Sequence, residues 1–302
     1  MAKNSVVTID LNFQDKKQAI ASYLIRDGDA AVLVESGPGS CLAGLEAGLR
    51  LNGLALADVT HVLLTHIHLD HAGAAGRLSR SGAQIYVHPV GAPHLLNPEI
   101  LLASAARIYG DKMDALWGEF LPVVEKNLHV TEDAQEIVIG NLQIVALSAP
   151  GHAEHHNVYL FEDVCFTGDV GGVRIPGFPY LRVPMPPPEL HLEKWRATLN
   201  RLRQQKIARL APTHFGIFDD PEWHLNEVEK GLDSAERWLE QVMPANPSVE
   251  ELRLRFAEWI ESEGRRQGLS EEVVRSYGLA NPLGMSADGL MRYWKKVRMG
   301  SG

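Results

Sequence analysis

His61-Val62-Leu63-Leu64-Thr65-His66-Ile67-His68-Leu69-Asp70-His71 is where the chain declares its organisation. The apolar start reads as a short strand. Three histidines and a carboxylate then crowd into the positions from His66 to His71, and such residues are poor core material. In an extended segment the side chains alternate, so His66 and His68 project to the same side. Asp70 and His71 fall where the chain turns into Ala72-Gly73-Ala74-Ala75-Gly76, which lets them address a neighbouring point. The outcome is two adjacent groups of N and O donors, as two borderline metal ions require.

On the N-terminal side, Val6-Val7-Thr8-Ile9 reads as an opening strand. Ala21 to Ile25 and Ala31 to Val34 flank the turn Asp27-Gly28-Asp29 and read as a hairpin. Glu35-Ser36-Gly37-Pro38-Gly39 ends that hairpin, and Leu42, Leu45 and Leu49 mark an amphipathic helix. On the C-terminal side a helix leads to the strand Ile85 to His88, and a helical insertion is expected over about 91–122. A second hairpin, Glu136 to Ile139 and Leu142 to Leu147, turns at Gly140-Asn141. Val158 to Phe161, Val164 to Thr167 and Ala208 to Ala211 add short strands, with a helix from Leu192 to Leu202. After Asp169 a Pro/Gly-rich stretch runs to Pro188, too irregular for regular structure and placed to edge a cleft.

Two β-rich halves, each closed by helices, imply an α/β fold of four layers, αββα. The hairpins argue against a doubly wound parallel sheet. Beyond Phe215 the pattern turns helical. Leu225 to Val242 and Ser248 to Glu263 are separated by Pro244-Ala245-Asn246-Pro247; Ser248 with Glu251 forms a capping-box pattern, and Leu252, Phe256, Trp259 and Ile260 share a face. The expected division is a catalytic domain over 1–219 and a helical extension over 220–302, packed on it or used in a homodimer.

Three more signals each follow an expected strand: Pro150-Gly151-His152, Thr167-Gly168-Asp169 and Pro212-Thr213-His214. Strand-end loops are where a rigid scaffold holds ligands within tight tolerance. Singly each is weak, but the order HxHxDH, PGH, TGD, PTH resembles the dinuclear metallo-hydrolases of the metallo-β-lactamase superfamily. The resemblance lies in the branch of glyoxalase II and the lactonases, and it covers roughly Tyr23 to Phe215. It implies that His66, His68 and His152 bind one metal, that Asp70, His71 and His214 bind a second, and that Asp169 bridges them. Zinc suits the mixed N/O set best, with manganese or iron also compatible in ligand type. The sequence departs from that pattern at Glu35, where an aspartate is usual and a longer carboxylate could orient a ligand histidine. It departs again at Ala153-Glu154-His155-His156, whose histidines are either outer-shell or substrate-contacting groups or loop residues bonded to backbone.

The resemblance also implies the chemistry. Two cations sharing a water lower its pKa towards neutrality, and the resulting hydroxide attacks the carbonyl of an ester, thioester or lactone. Asp70, once protonated, helps the leaving group depart, and no serine or cysteine nucleophile is needed. A phosphodiesterase or nuclease on the same site is the main alternative. The acidic balance, formal charge −9, and the lack of a basic, aromatic-interleaved stretch stand against it, Lys295-Lys296-Val297-Arg298 being a small cluster only. An iron-dependent persulfide dioxygenase is disfavoured by the intact set Asp70, His71 and His214, and a diiron flavoprotein by His68, where such proteins place glutamate. A basic glutathione-binding cluster would have to be drawn from the scattered Arg265, Arg266 and Lys295.

For the substrate, a small molecule, the insertion offers Tyr109, Met113, Trp117 and Phe120, of which Trp117 and Phe120 also suit core packing. The Pro/Gly stretch offers Phe178 and Tyr180, and Tyr180, flanked by prolines, is the expected substrate contact. No run is long and apolar enough for a bilayer, and the start Met1-Ala2-Lys3-Asn4-Ser5-Val6 lacks an apolar leader core. With Cys41 and Cys165 as the only cysteines, a reducing, cytoplasmic setting is expected, with neither membrane nor nucleic acid as partner.

Overall fold

Alternation along the first hairpin sorts its residues between two cores. Tyr23, Ile25, Val32 and Val34 face one way and join the apolar cluster between the sheets. Leu24 and Leu33 face the other way and pack under helices. This period-two division is what a strand covered on both faces requires.

A computed structural model of the chain describes residues 5–300; the leading Met1 to Asn4 of the stretch read above for a leader lies outside them. The first sheet has six strands in sequential order: β1 (Val6–Asp10), β2 (Ala21–Asp27), β3 (Ala30–Val34), β4 (His61–Leu63), β5 (Gln84–Val87) and β6 (Leu128–Val130). The pairings β1–β2 and β2–β3 are antiparallel, and those from β3 to β6 are parallel. The second sheet comprises β7 (Gln135–Ile139), β8 (Leu142–Ser148), β9 (Asn157–Phe161), β10 (Val164–Phe166) and β11 (Arg209–Ala211), in the order β11-β10-β9-β8-β7.

Helices cover both outer faces. Over the first sheet lie α1 (Leu42–Leu51), α2 (Leu69–Ala72), α3 (Ala75–Arg80), α4 (Ala92–Leu96), α5 (Glu99–Tyr109) and α6 (Met113–Trp117), contributing Leu45, Leu49, Leu78 and Leu95 to its outer core. Over the second lie α7 (Leu192–Arg203), α8 (Pro221–Val242), α9 (Val249–Arg266), α10 (Glu271–Ser276) and α11 (Leu283–Tyr293). Trp195, Leu232, Phe256 and Leu290 from these helices share one core with Val158, Cys165 and Leu210 of the strands. The architecture is the αββα sandwich that the hairpins imply. Ser248 accepts from the Glu251 N–H at 3.1 Å and starts α9, and Trp259 stays half-buried beside the buried Leu252, Phe256 and Ile260. Among the described residues no helix is long and apolar enough to cross a membrane.

Candidate metal centre

The C-terminal ends of β4, β8, β10 and β11 open on one rim of the sandwich, and each delivers donors there. Past β4 the chain runs extended to His68, whose carbonyl accepts from the N–H groups of His71 and Ala72 and so starts α2. Asp70 and His71 therefore sit in the first turn of a short helix, one step along the rim from His66 and His68. After β8, Gly151 takes φ +145°, and a Cβ there would lie 2.4 Å from Trp195, so only glycine lets the loop place His152. After β10, Gly168 at φ +51° is packed against Thr65 and His156 and aims Asp169 inward.

The first set is His66, His68 and His152. Nε2 of His66 and of His152 lie 2.9 and 3.1 Å from Nδ1 of His68, so three imidazole nitrogens converge on one point. The outer nitrogens of two of them are tied down. His152 Nδ1 donates to the Pro184 carbonyl at 3.0 Å, and His66 Nδ1 lies 3.1 Å from the Thr65 hydroxyl. That fixes the tautomer and leaves the inner lone pairs free. Burial first, then the crowding of neighbouring imidazoles, holds His66 well below its ordinary value and His68 down to about 3. Neutral rings are the form that binds metal.

The second set is Asp70, His71 and His214. Nε2 of His71 and of His214 lie 3.6 and 3.5 Å from Asp70 Oδ2, and 3.4 and 3.3 Å from Asp169 Oδ1. The other oxygen of Asp169, Oδ2, faces His152 Nε2 at 3.4 Å, so this carboxylate spans the two sets. His214 Nδ1 donates to the Ala19 carbonyl at 2.7 Å. Burial opposes charge on His71 and His214, but the surrounding carboxylates outweigh it. Asp70, Glu35 and Asp169 raise His71 well above its usual range, and Asp169 and Asp70 raise His214 to about 9. In turn the histidines keep Asp169 well below the usual carboxylate range despite its burial.

These residues fit divalent metal ions. Two ligands about 2.0–2.1 Å from a tetrahedral ion stand roughly 3.3 Å apart, close to the separations in the second set. His71 Nε2, His214 Nε2 and Asp169 Oδ1 are buried with no hydrogen-bond partner among the described residues, although they face one another. Buried polar atoms are rarely left so.

Glu35 is the hub behind the centre. Fully buried, it accepts from His71 Nδ1 at 2.9 Å, the Thr213 hydroxyl at 2.9 Å, the Thr65 N–H at 3.3 Å and the Thr65 hydroxyl. The longer carboxylate thus orients one donor and the residues preceding two others, His66 and His214. His156 accepts from the Asp169 N–H at 3.2 Å, and so positions the spanning carboxylate from behind. His155 instead joins the cleft wall, its Nδ1 3.5 Å from the Ile67 N–H and its Nε2 3.5 Å from Glu189.

His66, His68, Asp70, His71, His152, Asp169 and His214 therefore come together as expected from the sequence. Tyr180 does not join them. Pairing of Val173 with Arg182 turns its segment into a ribbon, and the Tyr180 ring is buried edge-on to Tyr277, 4.9 Å between centroids, away from the cleft. Tyr109 and Trp117 of the insertion do line the cleft, whereas Met113 and Phe120 pack into the core beneath. The opposite wall, from Leu279 to Ser286, carries no chemical motif and was not legible as part of the site.

The sequence model of the metallo-beta-lactamase superfamily matches residues 17–214, the span that carries every one of these donors. Among curated relatives, the chain is 26% identical over 184 residues to the metallo-beta-lactamase fold-containing protein ST1585 of Sulfurisphaera tokodaii, covering 57% of this chain and 67% of that one. It is 24% identical over 206 residues to the atrochrysone carboxyl ACP thioesterase dmxR1 of a Cryptosporiopsis species, covering 67% of this chain but only 51% of that protein. The solved structure of the metallo-beta-lactamase family protein TTHA1429 from Thermus thermophilus superposes with a TM-score of 0.69 at 19% identity. That match covers 100% of this chain and 95% of the other.

Proposed function

The chain belongs to the metallo-beta-lactamase superfamily, and from that premise we propose that it is a metal-dependent hydrolase of a small-molecule carboxylic ester, thioester or lactone. The observation that carries the proposal is the carboxylate of Asp169 set between two converging donor groups at the floor of an apolar cleft. His66, His68 and His152 would hold one ion and Asp70, His71 and His214 another, with Asp169 shared. Zinc suits these donors best. When bound, such ions supply an activated water at neutral pH and polarise a carbonyl oxygen.

The remaining work falls to the chain. Glu35, Thr65 and Thr213 keep the donor rings in one orientation, so the site pays little to reorganise. Asp70 borders the cleft and is the less buried of the two aspartates; despite its burial, His71 and His214 hold it ionised, down to about 2, so its Oδ2 is placed to take up the proton shed by the attacking water and pass it to the leaving group. Walls of Ile, Leu, Pro and Trp exclude water around the reacting carbonyl. Among the described residues that line the cleft there is no Lys or Arg, which favours carbonyl substrates over a phosphodiester. The thioester arm has added support from the fungal relative, a carboxyl ACP thioesterase, and the buried free thiols of Cys41 and Cys165 accord with a cytoplasmic setting.

The test is the initial rate of the zinc- or manganese-loaded protein on an aryl ester, an acyl thioester, a γ-lactone and bis(p-nitrophenyl) phosphate, each beside Asp169→Ala. Turnover of carbonyl compounds is expected, with at least about a hundredfold loss (~3 kcal/mol) in the variant and lower metal content. Cleavage of the phosphate diester alone would overturn the reading.

A further inference from the structure

We propose that the cleft is a tail pocket: the substrate presents to it an uncharged alkyl or acyl chain of about six to eight carbons. This rests on the carbonyl-hydrolase reading above and narrows it.

The cavity, about 230 Å³, opens directly from His68, Asp70, His152 and Asp169. One wall is Ile100, Leu101, Ala105 and Ile108 of α5, with Trp117 of α6. Facing it are Leu279 and Pro282 from the segment that leads into α11 and Met285 from its first turn, with Pro184 and Pro186 to Pro188 at the side. The two walls are joined where the Tyr109 hydroxyl donates to Met285 Sδ at 2.9 Å. Ile100 and Ile108 are 72% and 46% exposed, so large aliphatic side chains stand uncovered on the wall. That is costly in water, and an apolar occupant relieves it.

Charge decides the rest. The ionisable groups along the cleft are carboxylates (Asp70, Asp169, Glu189), imidazoles and the Tyr109 phenol, with no Lys or Arg among the described lining residues. A carboxylate or phosphate on the tail would lose its hydration and meet no counter-ion there. The enclosed part of the substrate is therefore neutral. With the reacting carbonyl over the donors, a cleft of this size suits a chain of medium length, which we set at about six to eight carbons, carbonyl included.

Binding can be read apart from catalysis. The full-length, metal-loaded protein is titrated calorimetrically with 1-alkanols of four to ten carbons. Affinity should climb by at most about fourfold per methylene and level off at six to eight carbons. Ala105→Trp, which fills the wall, should flatten that climb. Ile100→Glu, at an exposed position that the fold does not need, should weaken octanol binding about tenfold if Ala105→Trp fails to fold. In parallel, kcat/KM is measured for p-nitrophenyl esters from acetyl to dodecanoyl, and for a hexanoyl ester against its ω-carboxylate analogue. Alkanol affinity independent of length, an acetyl optimum, or equal turnover of the charged tail would overturn the pocket while leaving the hydrolase reading standing. Length-dependent alkanol binding with no ester, thioester or lactone turned over would uphold the pocket and remove the hydrolase reading.

Discussion

Glu35 shows how much of a metal site lies behind its ligands. Its carboxylate gathers the His71 ring and the hydroxyls of Thr65 and Thr213, so donors from three separate segments share one buried acceptor. Glu35→Gln replaces one acceptor oxygen by a donor, so His71 or a threonine loses its partner. The expected result is a 10- to 100-fold loss of metal affinity, in the range known for such supporting groups, measured by competition with a chelator. Affinity within twofold of the parent protein would mean that the backbone alone orients His71. His155 provides the contrast. It borders the cleft and touches Glu189 rather than the spanning carboxylate, so His155→Ala should leave metal content intact by atomic emission. A variant unable to retain its metal would place His155 in the centre after all.

Helix α8 holds the spanning carboxylate in place from a distance. At its start Arg174 pairs with Asp220 through two contacts, 2.5 and 2.8 Å, and stacks over Phe218 and Trp223. His224, one turn along, donates from Nε2 to the Gly171 carbonyl at 2.6 Å, in the same turn that carries Asp169. Burial pushes His224 down to about 4 from an ordinary 6.5, helped by the nearby Arg174 and only partly opposed by the Gly171 carbonyl. The folded ring thus binds its proton less tightly than the unfolded chain does. Its contribution is complete above pH 6.5 and is lost as pH falls through 6.5 towards 4, amounting to about 3 kcal/mol. Chemical denaturation between pH 4 and 7 should show this slope in the parent protein and a shallower one in His224→Gln, which keeps a donor without the titration. Parallel slopes would remove His224 from the account.

Across the whole molecule, what the sequence made legible follows from range. The strands and hairpins rest on local alternation and turn residues, and the seven donors on motifs that each follow a strand, so both could be read from short stretches. Tyr180 could not, because its neighbour Tyr277 lies 97 residues away and nothing near Tyr180 shows which side of the ribbon will be covered. The second wall of the cleft is hidden for the same reason. Leu279, Pro282 and Met285 are ordinary apolar residues until the fold brings them against Tyr109, 176 residues before Met285.

That late wall has a consequence for traffic. All seven donors precede Phe215, so on a growing chain they leave the ribosome before the segment around Met285 exists. Once the chain is finished, the side of the donor basin towards the inserted helices is lined by those helices and the late segment together, and the cleft so formed opens over the donors. A guest in the cleft then acts as a stopper. Release of metal from the mature protein to a chelator should slow severalfold when 1-octanol is added, and an unchanged rate would mean that ions depart by another route.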